Sequence, residues 1–561
     1  MELVNESTIS ATKFHTEACP ERLEFASRQQ RTASVFSLDT VFSAVPNGRD
    51  ITGVVWHDLL RQMMEHKPAK QILGLRASLW AIVLLGTGLR FLNLGRQSVW
   101  IDEGFSWLAS RMNFGAVTRL AWEDVHPPLY YYLLKASLWV FPDTEFGLRL
   151  VSVLCSIASL VVLITFVYRH WGHRAACYVG LLAALSPFDI YYAREARMYA
   201  LLSFLFVLAY TELVESLAGK PAHLIGWVAA NVGLAWTHAY GLLAAFLQIG
   251  FFVGYWIWLR LRGRPFPLTT TTARRALEFL LVGIAPIVIF FWLIRANASS
   301  SVLLPETNRL LYLVRCWATG PMHAFPAFKI PWRMHDVSTA VMVGCAVWGA
   351  RQLWWRDEFH RWALTFALAL IVLPAGIIYG YSVLSGHALW IDRGFLGSAH
   401  LVYLLAGVGL AAVGSRAVRG LVAVAIGVSL VSGEIYYYTI FEKSQAMTAF
   451  HSLPPITAQR TLLVSPPWLE AEAYYYLRSY TSYWGVQSES PWQLLRVTWS
   501  PEHMPQQDVT TCDEPALERV SELYAFGDAS KIRADRGQWP VCLLGKKIWV
   551  FESEHWHPLD E

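Results

Sequence analysis

LRLVSVLCSIASLVVLITFV, residues 148–167, carries one charge in twenty positions, Arg149 in its first turn. A helix rises about 1.5 Å per residue, so twenty residues reach about 30 Å, the thickness of a bilayer's hydrocarbon core. In lipid every backbone polar group must pair within the chain, so such a stretch is a helix. The pattern recurs. About eleven apolar stretches follow one another: Ala77–Leu94, Leu148–Val167, Ala175–Tyr192, Tyr199–Leu217, Ala222–Trp236, Ala239–Leu259, Ala276–Ile294, Val337–Trp355, Trp362–Tyr381, Phe395–Val413 and Leu421–Ile440. The whole chain is 55% hydrophobic and only 16% charged, against about 25% charged in soluble domains. The expected fold is a polytopic α-helical membrane protein of about 11 transmembrane helices, with a small C-terminal α/β domain outside the membrane.

Charge placement sets the expected orientation. Lys67 and Lys70, Arg169 and Arg174, Arg260 to Arg275, Arg351 to Arg361, and Arg416 with Arg419 fall on one side, which the positive-inside rule makes cytoplasmic. Residues 1–70 are polar, lack a signal-peptide h-region and read as a disordered cytoplasmic segment. Residues 71–441 form the membrane core, with a first outside loop at 94–147, and 442–561 form the extracytoplasmic domain. Within that loop, Phe105–Arg119 and Pro128–Phe141 read as amphipathic helices on the membrane surface. In the tail, RTLLVS from Arg460 reads as a strand and WLEAEAYYYLRSY as a helix. LLGKKIWVFESE reads as a hairpin turning at Gly545-Lys546-Lys547. Of seven cysteines, Cys155, Cys177 and Cys345 sit in spans as packing residues, while a Cys512–Cys542 disulfide is open in the outside tail. There is no Rossmann or P-loop glycine pattern, no convincing metal-ligand cluster, and no nucleic-acid partner is expected.

Three sites concentrate chemistry at the outer face. Asp102 and Glu103 stand among Trp100, Ile101, Phe105 and Trp107. A carboxylate held partly out of water has a raised pKa and serves as a base. In an extended loop the two neighbours point apart, so one faces the chemistry and the other fixes the loop. Prolines 127 and 128 make a rigid entry to a helix whose N-terminus, with His126, suits an anion. Arg194 and Arg197 lie in a tight loop with Tyr191, Tyr192 and Tyr199; Arg149 and Arg393 open spans from the same side. Each arginine alone is an ordinary interfacial anchor, but as a set they suit a phosphate headgroup.

At these residues the sequence resembles a family. WIDEGFSW resembles the acidic motif of the first outside loop in membrane glycosyltransferases of the C superfamily (GT-C). EDVHPPLYYYLL is similar to a segment of protein O-mannosyltransferases, and FGLRLVSVL and AREARMYALLS resemble their next two landmarks. Aminoarabinose transferases to lipid A share the architecture, with Lys-Pro where this chain has His126-Pro127. The resemblance runs from about Leu73 to Leu217 and is architectural from there to Ile440. It implies transfer of one sugar from a polyprenyl-phosphate-linked donor to an acceptor hydroxyl on a glycan, lipid or protein, with inversion. It implies Asp102 as general base and Glu103 holding the loop or the sugar. It implies Arg197, Arg149 and His126 at the donor phosphate, with Arg194 and Arg393 behind them. No cofactor or metal is implied. The expected location is a bacterial inner (plasma) membrane. The competing reading is a transporter, flippase or binding protein for lipid-linked saccharides; charges clustered at one face rather than mid-span favour the enzyme.

Overall fold

The computed structural model describes residues 76–455 apart from 124–125, 295–308, 321–331 and 387–388, and beyond 459 the strands with isolated residues between them. The N-terminal segment, Cys512, Cys542, most of the 297–336 loop and most of 468–480 lie outside the described residues. The helices are α1 Ala77–Phe91, α2 Ile101–Arg111, α3 Phe114–Glu123, α4 Leu129–Val140, α5 Glu145–Ala184, α6 Pro187–Ala193, α7 Tyr199–Leu217, α8 His223–Thr237 and α9 Ala239–Leu261. They continue as α10 Thr270–Ile294, α11 Arg309–Thr319, α12 Trp332–Trp354, α13 Glu358–Ser385, α14 Leu396–Ala412, α15 Arg416–Thr439 and α16 Ala446–His451.

Every apolar stretch read from the sequence is mostly helix, and the chain is a polytopic α-helical membrane protein. Among the described residues, seven helices are long and apolar enough to cross a bilayer by length and composition, one of them the 40-residue α5. That helix is two spans in one run. Gly172, at φ 79° and ψ 179°, breaks it in a backbone region open chiefly to glycine, and a second break at Leu185-Ser186 separates α6. Helices α1 and α8 have 15 residues each, short for about 30 Å of hydrocarbon.

Two features fix the helical bundle. Arg90, fully buried, ties α1 to its neighbours. It donates to Ser156 Oγ at 2.7 Å, to the carbonyls of Gly86, Ala183 and Ala184, and to Asp189 Oδ2 at 2.5 Å. Helices α12 and α14 touch backbone to backbone: a Cβ on Gly349 would overlap the Leu405 carbonyl, and one on Gly409 the Cys345 carbonyl. Small residues at helix crossings of this kind are the common membrane solution, since lipid offers no hydrophobic drive to associate.

The 94–147 loop differs from the sequence reading in one respect. The helix expected over Phe105–Arg119 is two helices, because Asn113 Oδ1 accepts the Ala116 N–H at 2.9 Å and starts α3 afresh. Helix α4 falls where expected.

Among the described residues the tail holds a seven-stranded sheet: β1 Arg460–Val464, β2 Ser482–Gln487, β3 Gln493–Thr498, β4 Gln506–Thr510, β5 Glu522–Phe526, β6 Lys547–Glu552 and β7 His555–Pro558. Its order is β4-β3-β2-β1-β5-β6-β7, with β2, β1, β5 and β6 parallel and the outer strands antiparallel. The expected strand at Arg460 is its centre. The hairpin, however, turns at Ser553-Glu554 and not at Gly545-Lys546-Lys547. Both turn residues have positive φ (52° and 69°), as a two-residue hairpin loop demands, but neither is of the Gly or Asn type that marks such turns. The tail packs on the 94–147 loop: Tyr475 meets Trp107 edge-on at 5.4 Å, and the Val99 N–H donates to Tyr476 Oη at 2.8 Å.

Candidate active site

Asp102 and Glu103 occupy the first turn of α2, where exposed backbone N–H groups favour carboxylates. They are therefore not in extended chain. Successive helical residues still diverge, and the two acids part company.

Glu103 turns inward and is fully buried. It accepts from Arg149 Nε at 2.8 Å, Arg149 Nη2 at 2.7 Å and the Ala196 amide at 2.9 Å. Burial pushes its carboxyl up, but Arg149 foremost outweighs this and leaves it below the ordinary range. Arg149 also donates to the carbonyls of Leu94 (2.8 Å), Gln97 (2.9 Å) and Ser98 (2.8 Å). A guanidinium has five N–H bonds, and this set uses all of them. Arg149, expected at the donor phosphate, is engaged in clamping the start of the 94–147 loop to α5. Glu103, buried behind the loop, is positioned to hold it.

Asp102 turns the other way and keeps 24% of its side chain exposed. Its Oδ2 lies 3.0 Å from Arg393 Nη1 and 3.9 Å from Arg197 Nε. Arg197 Nη1 also approaches the Asp102 carbonyl and Tyr131 Oη at 3.5 Å each. Arg393 lies over the Tyr199 ring at 4.7 Å. Burial pushes the Asp102 carboxyl up, but Arg197, Arg393 and His126 together outweigh it and hold it below the usual range. The raised pKa expected for a buried base is absent, because two guanidinium groups converge on the carboxylate.

His126, half-buried, precedes buried Pro127 and Pro128 and meets the His238 ring at 5.2 Å. Arg194 faces elsewhere: it donates to the Asn93 carbonyl at 2.8 Å and stacks on Tyr437 and Tyr438 at 5.1 and 4.7 Å. The structure thus brings Asp102, Arg197, Arg393 and His126 together, and places Arg149 and Arg194 behind them. Two charged residues escaped the sequence reading. Glu195, between those loop arginines, is fully buried; Arg393 Nη1 stands 3.8 Å from its Oε1. Burial pushes Glu195 up to about 7, against the pull of Lys443 and Arg393. Lys443 donates to the Arg194 carbonyl at 3.0 Å, lies 5.0 Å over Tyr191, and is held down by burial. An acid flanked by arginines in AREAR was the available signal for the first; the second follows the last span by only a few positions. Among the described residues no three His, Cys, Asp or Glu side chains lie together as metal ligands.

No family model matches the chain, and no curated protein matches it. Among solved structures it is similar to ArnT from Cupriavidus metallidurans in the apo state, with 14% identity and a TM-score of 0.47 over 71% of this chain and 84% of that one. The same protein bound to undecaprenyl phosphate gives 15% identity and a TM-score of 0.46 over 72% and 85%. The archaeal oligosaccharyltransferase AglB from Archaeoglobus fulgidus, in complex with an inhibitory peptide and a dolichol-phosphate, gives 12% identity and a TM-score of 0.42 over 71% and 63%.

Proposed function

We propose that this chain transfers a single sugar from a polyprenyl-phosphate donor to an acceptor hydroxyl at the extracytoplasmic face, with inversion. One observation carries the reading: a partly open carboxylate, Asp102, is held between Arg393 and Arg197 at the outer end of an apolar bundle. The motif resemblance at the same residues supports it. The acceptor oxygen attacks the anomeric carbon, the anomeric C–O bond to phosphate breaks, and Asp102 takes the acceptor proton. The lipid phosphate leaves with charge that Arg393, Arg197 and His126 are placed to hold. Arg149 and Glu103 support this by fixing the loop.

The lowered pKa of Asp102 fits this scheme only if its partners are drawn away. A phosphate entering beside Asp102 competes for both guanidinium groups and thereby restores the basicity of the carboxylate. The resting ion pair is then the form without donor, and donor binding switches the base on.

The test is Asp102→Asn in a single-turnover assay with purified protein and a panel of polyprenyl-phosphate sugars. Transfer falls at least about a hundredfold, the low end for loss of a general base. Affinity for undecaprenyl phosphate rises, because the competing carboxylate charge is gone. Near-normal turnover of the Asn variant overturns the assignment of the base.

A further inference from the structure

His238 is the single residue between α8 and α9, in extended backbone at φ −164° and ψ 155°. Its Nδ1 accepts the Tyr240 N–H at 3.1 Å and so caps α9. A ring nitrogen that accepts carries no proton, so the neutral imidazole bears its proton on Nε2. That Nε2 has no hydrogen-bond partner among the described residues, although His238 is only 4% exposed. A buried N–H without a partner is rare in a finished fold and asks for an explanation.

The surroundings supply one. The ring lies 5.2 Å from His126, 5.4 Å from Tyr240 and 5.8 Å from Tyr199, the tyrosine that carries Arg393. Burial foremost, then the charges of His126, Arg393 and Arg197, hold the imidazole well below its ordinary pKa. It is therefore a neutral donor beside a cationic cluster, and it remains a donor across the physiological range. The positive neighbours make an anion the natural acceptor for it.

We propose that the Nε2–H of His238 donates a hydrogen bond to a phosphate oxygen of the polyprenyl-phosphate donor, opposite Arg197 and Arg393. This rests on the transferase reading above. A neutral donor adds a directed bond without adding to the repulsion between the two guanidinium groups. The cap from Nδ1 locks the tautomer, so α9 itself orients the group.

The residue lends itself to a clean test, because Asn is a good helix N-cap and lacks an atom at the Nε2 position. His238→Asn keeps the cap and removes the donor. Binding of undecaprenyl phosphate to the full chain in nanodiscs is measured beside binding of undecaprenol, which lacks the phosphate. The expected result is a loss of roughly tenfold to a hundredfold for the phosphate lipid, with undecaprenol and the unfolding midpoint unchanged. An Asn variant that binds the phosphate lipid as wild type does overturns the inference and leaves the transferase reading standing; so does an equal loss for both lipids, which marks a distorted pocket. Wild-type protein that prefers neither lipid overturns both. If the Asn variant does not fold, His238→Gln, whose amide reaches the Nε2 position, retains the phosphate preference while His238→Leu loses it; equal behaviour of Gln and Leu overturns the inference.

Discussion

Removing Glu103 tests whether the loop is held as the structure shows. In Glu103→Ala, Arg149 keeps its three backbone carbonyl acceptors but loses two charge-assisted bonds, and the buried Ala196 amide loses its acceptor. Breaking a buried ion pair by deleting one partner costs about 3–5 kcal/mol, because the remaining charge is uncompensated. The carbonyls of Leu94, Gln97 and Ser98 partly solvate that charge, which places the expected loss near the lower end, about 3 kcal/mol. Glu103→Gln retains shape and one acceptor, so it costs less, about 1.5–3 kcal/mol. The unfolding midpoint in mixed detergent micelles reads both. A double-mutant cycle with Arg149→Met then separates the pair from its surroundings, since the neutral pair no longer leaves a buried charge. The cost of Glu103→Ala should shrink in acid: burial opposes the Glu103 charge, Arg149 outweighs burial, and the net lowered pKa means that its stabilisation is present above the ordinary glutamate value and fades as pH falls through the folded-state value. An unchanged midpoint in Glu103→Ala, together with selective loss of lipid binding in Arg149→Met, would falsify the clamp and return Arg149 to the phosphate.

Arg197→Lys keeps charge but not the fork, so undecaprenyl phosphate binding weakens several-fold and Arg197→Ala loses more in both binding and turnover; a Lys variant that binds normally makes Arg197 an interface anchor. Glu195 is raised to about 7, so the stability its neutral form confers is full below the ordinary glutamate value and lost as pH rises through 7. Glu195→Gln mimics the neutral form and should remove an alkaline loss on the order of 3 kcal/mol between pH 5 and pH 8; identical pH profiles for the two proteins contradict this. A tag after Glu561 should be cut by protease only from the extracytoplasmic side, and cleavage from the cytoplasm means one span too many or too few.

Hydropathy made the bundle legible because each span must satisfy lipid on its own, a constraint written along the chain. The same constraint says nothing of where one helix hands over to the next without a loop. Gly172 joins two spans by a single left-handed residue and hides the join within one long helix. At the site, sequence brought forward residue types suited to phosphate but not their partners. Arg149 and Arg197 look alike at the outer ends of spans. Only the fold shows that three loop carbonyls and Glu103 occupy the first, while the second reaches Asp102. Partnership between residues 46 or 291 positions apart leaves no local trace. The Ser553-Glu554 turn was missed for the opposite reason: its residues run against local preference and are imposed by the strands on either side.

The glycine contact between α12 and α14 reaches further than packing. Helix α14 continues directly from the short turn Asp392–Phe395 that bears Arg393, and Gly409 lies sixteen residues on, about 24 Å down the axis. Along that length α14 is a stiff rod. Its far end rests on Cys345 and Gly349 with no side chain between. A methyl group added there has backbone on the other side, so the rod itself must shift, and the tip that carries Arg393 shifts with it. Displacement of about 1 Å at a reacting group is enough to slow chemistry a hundredfold. Gly349 and Gly409 therefore set the gauge of the candidate site from the far end of that rod, and, on the proposed transferase reading, chain variants that differ only there would turn over at different rates with every site residue intact.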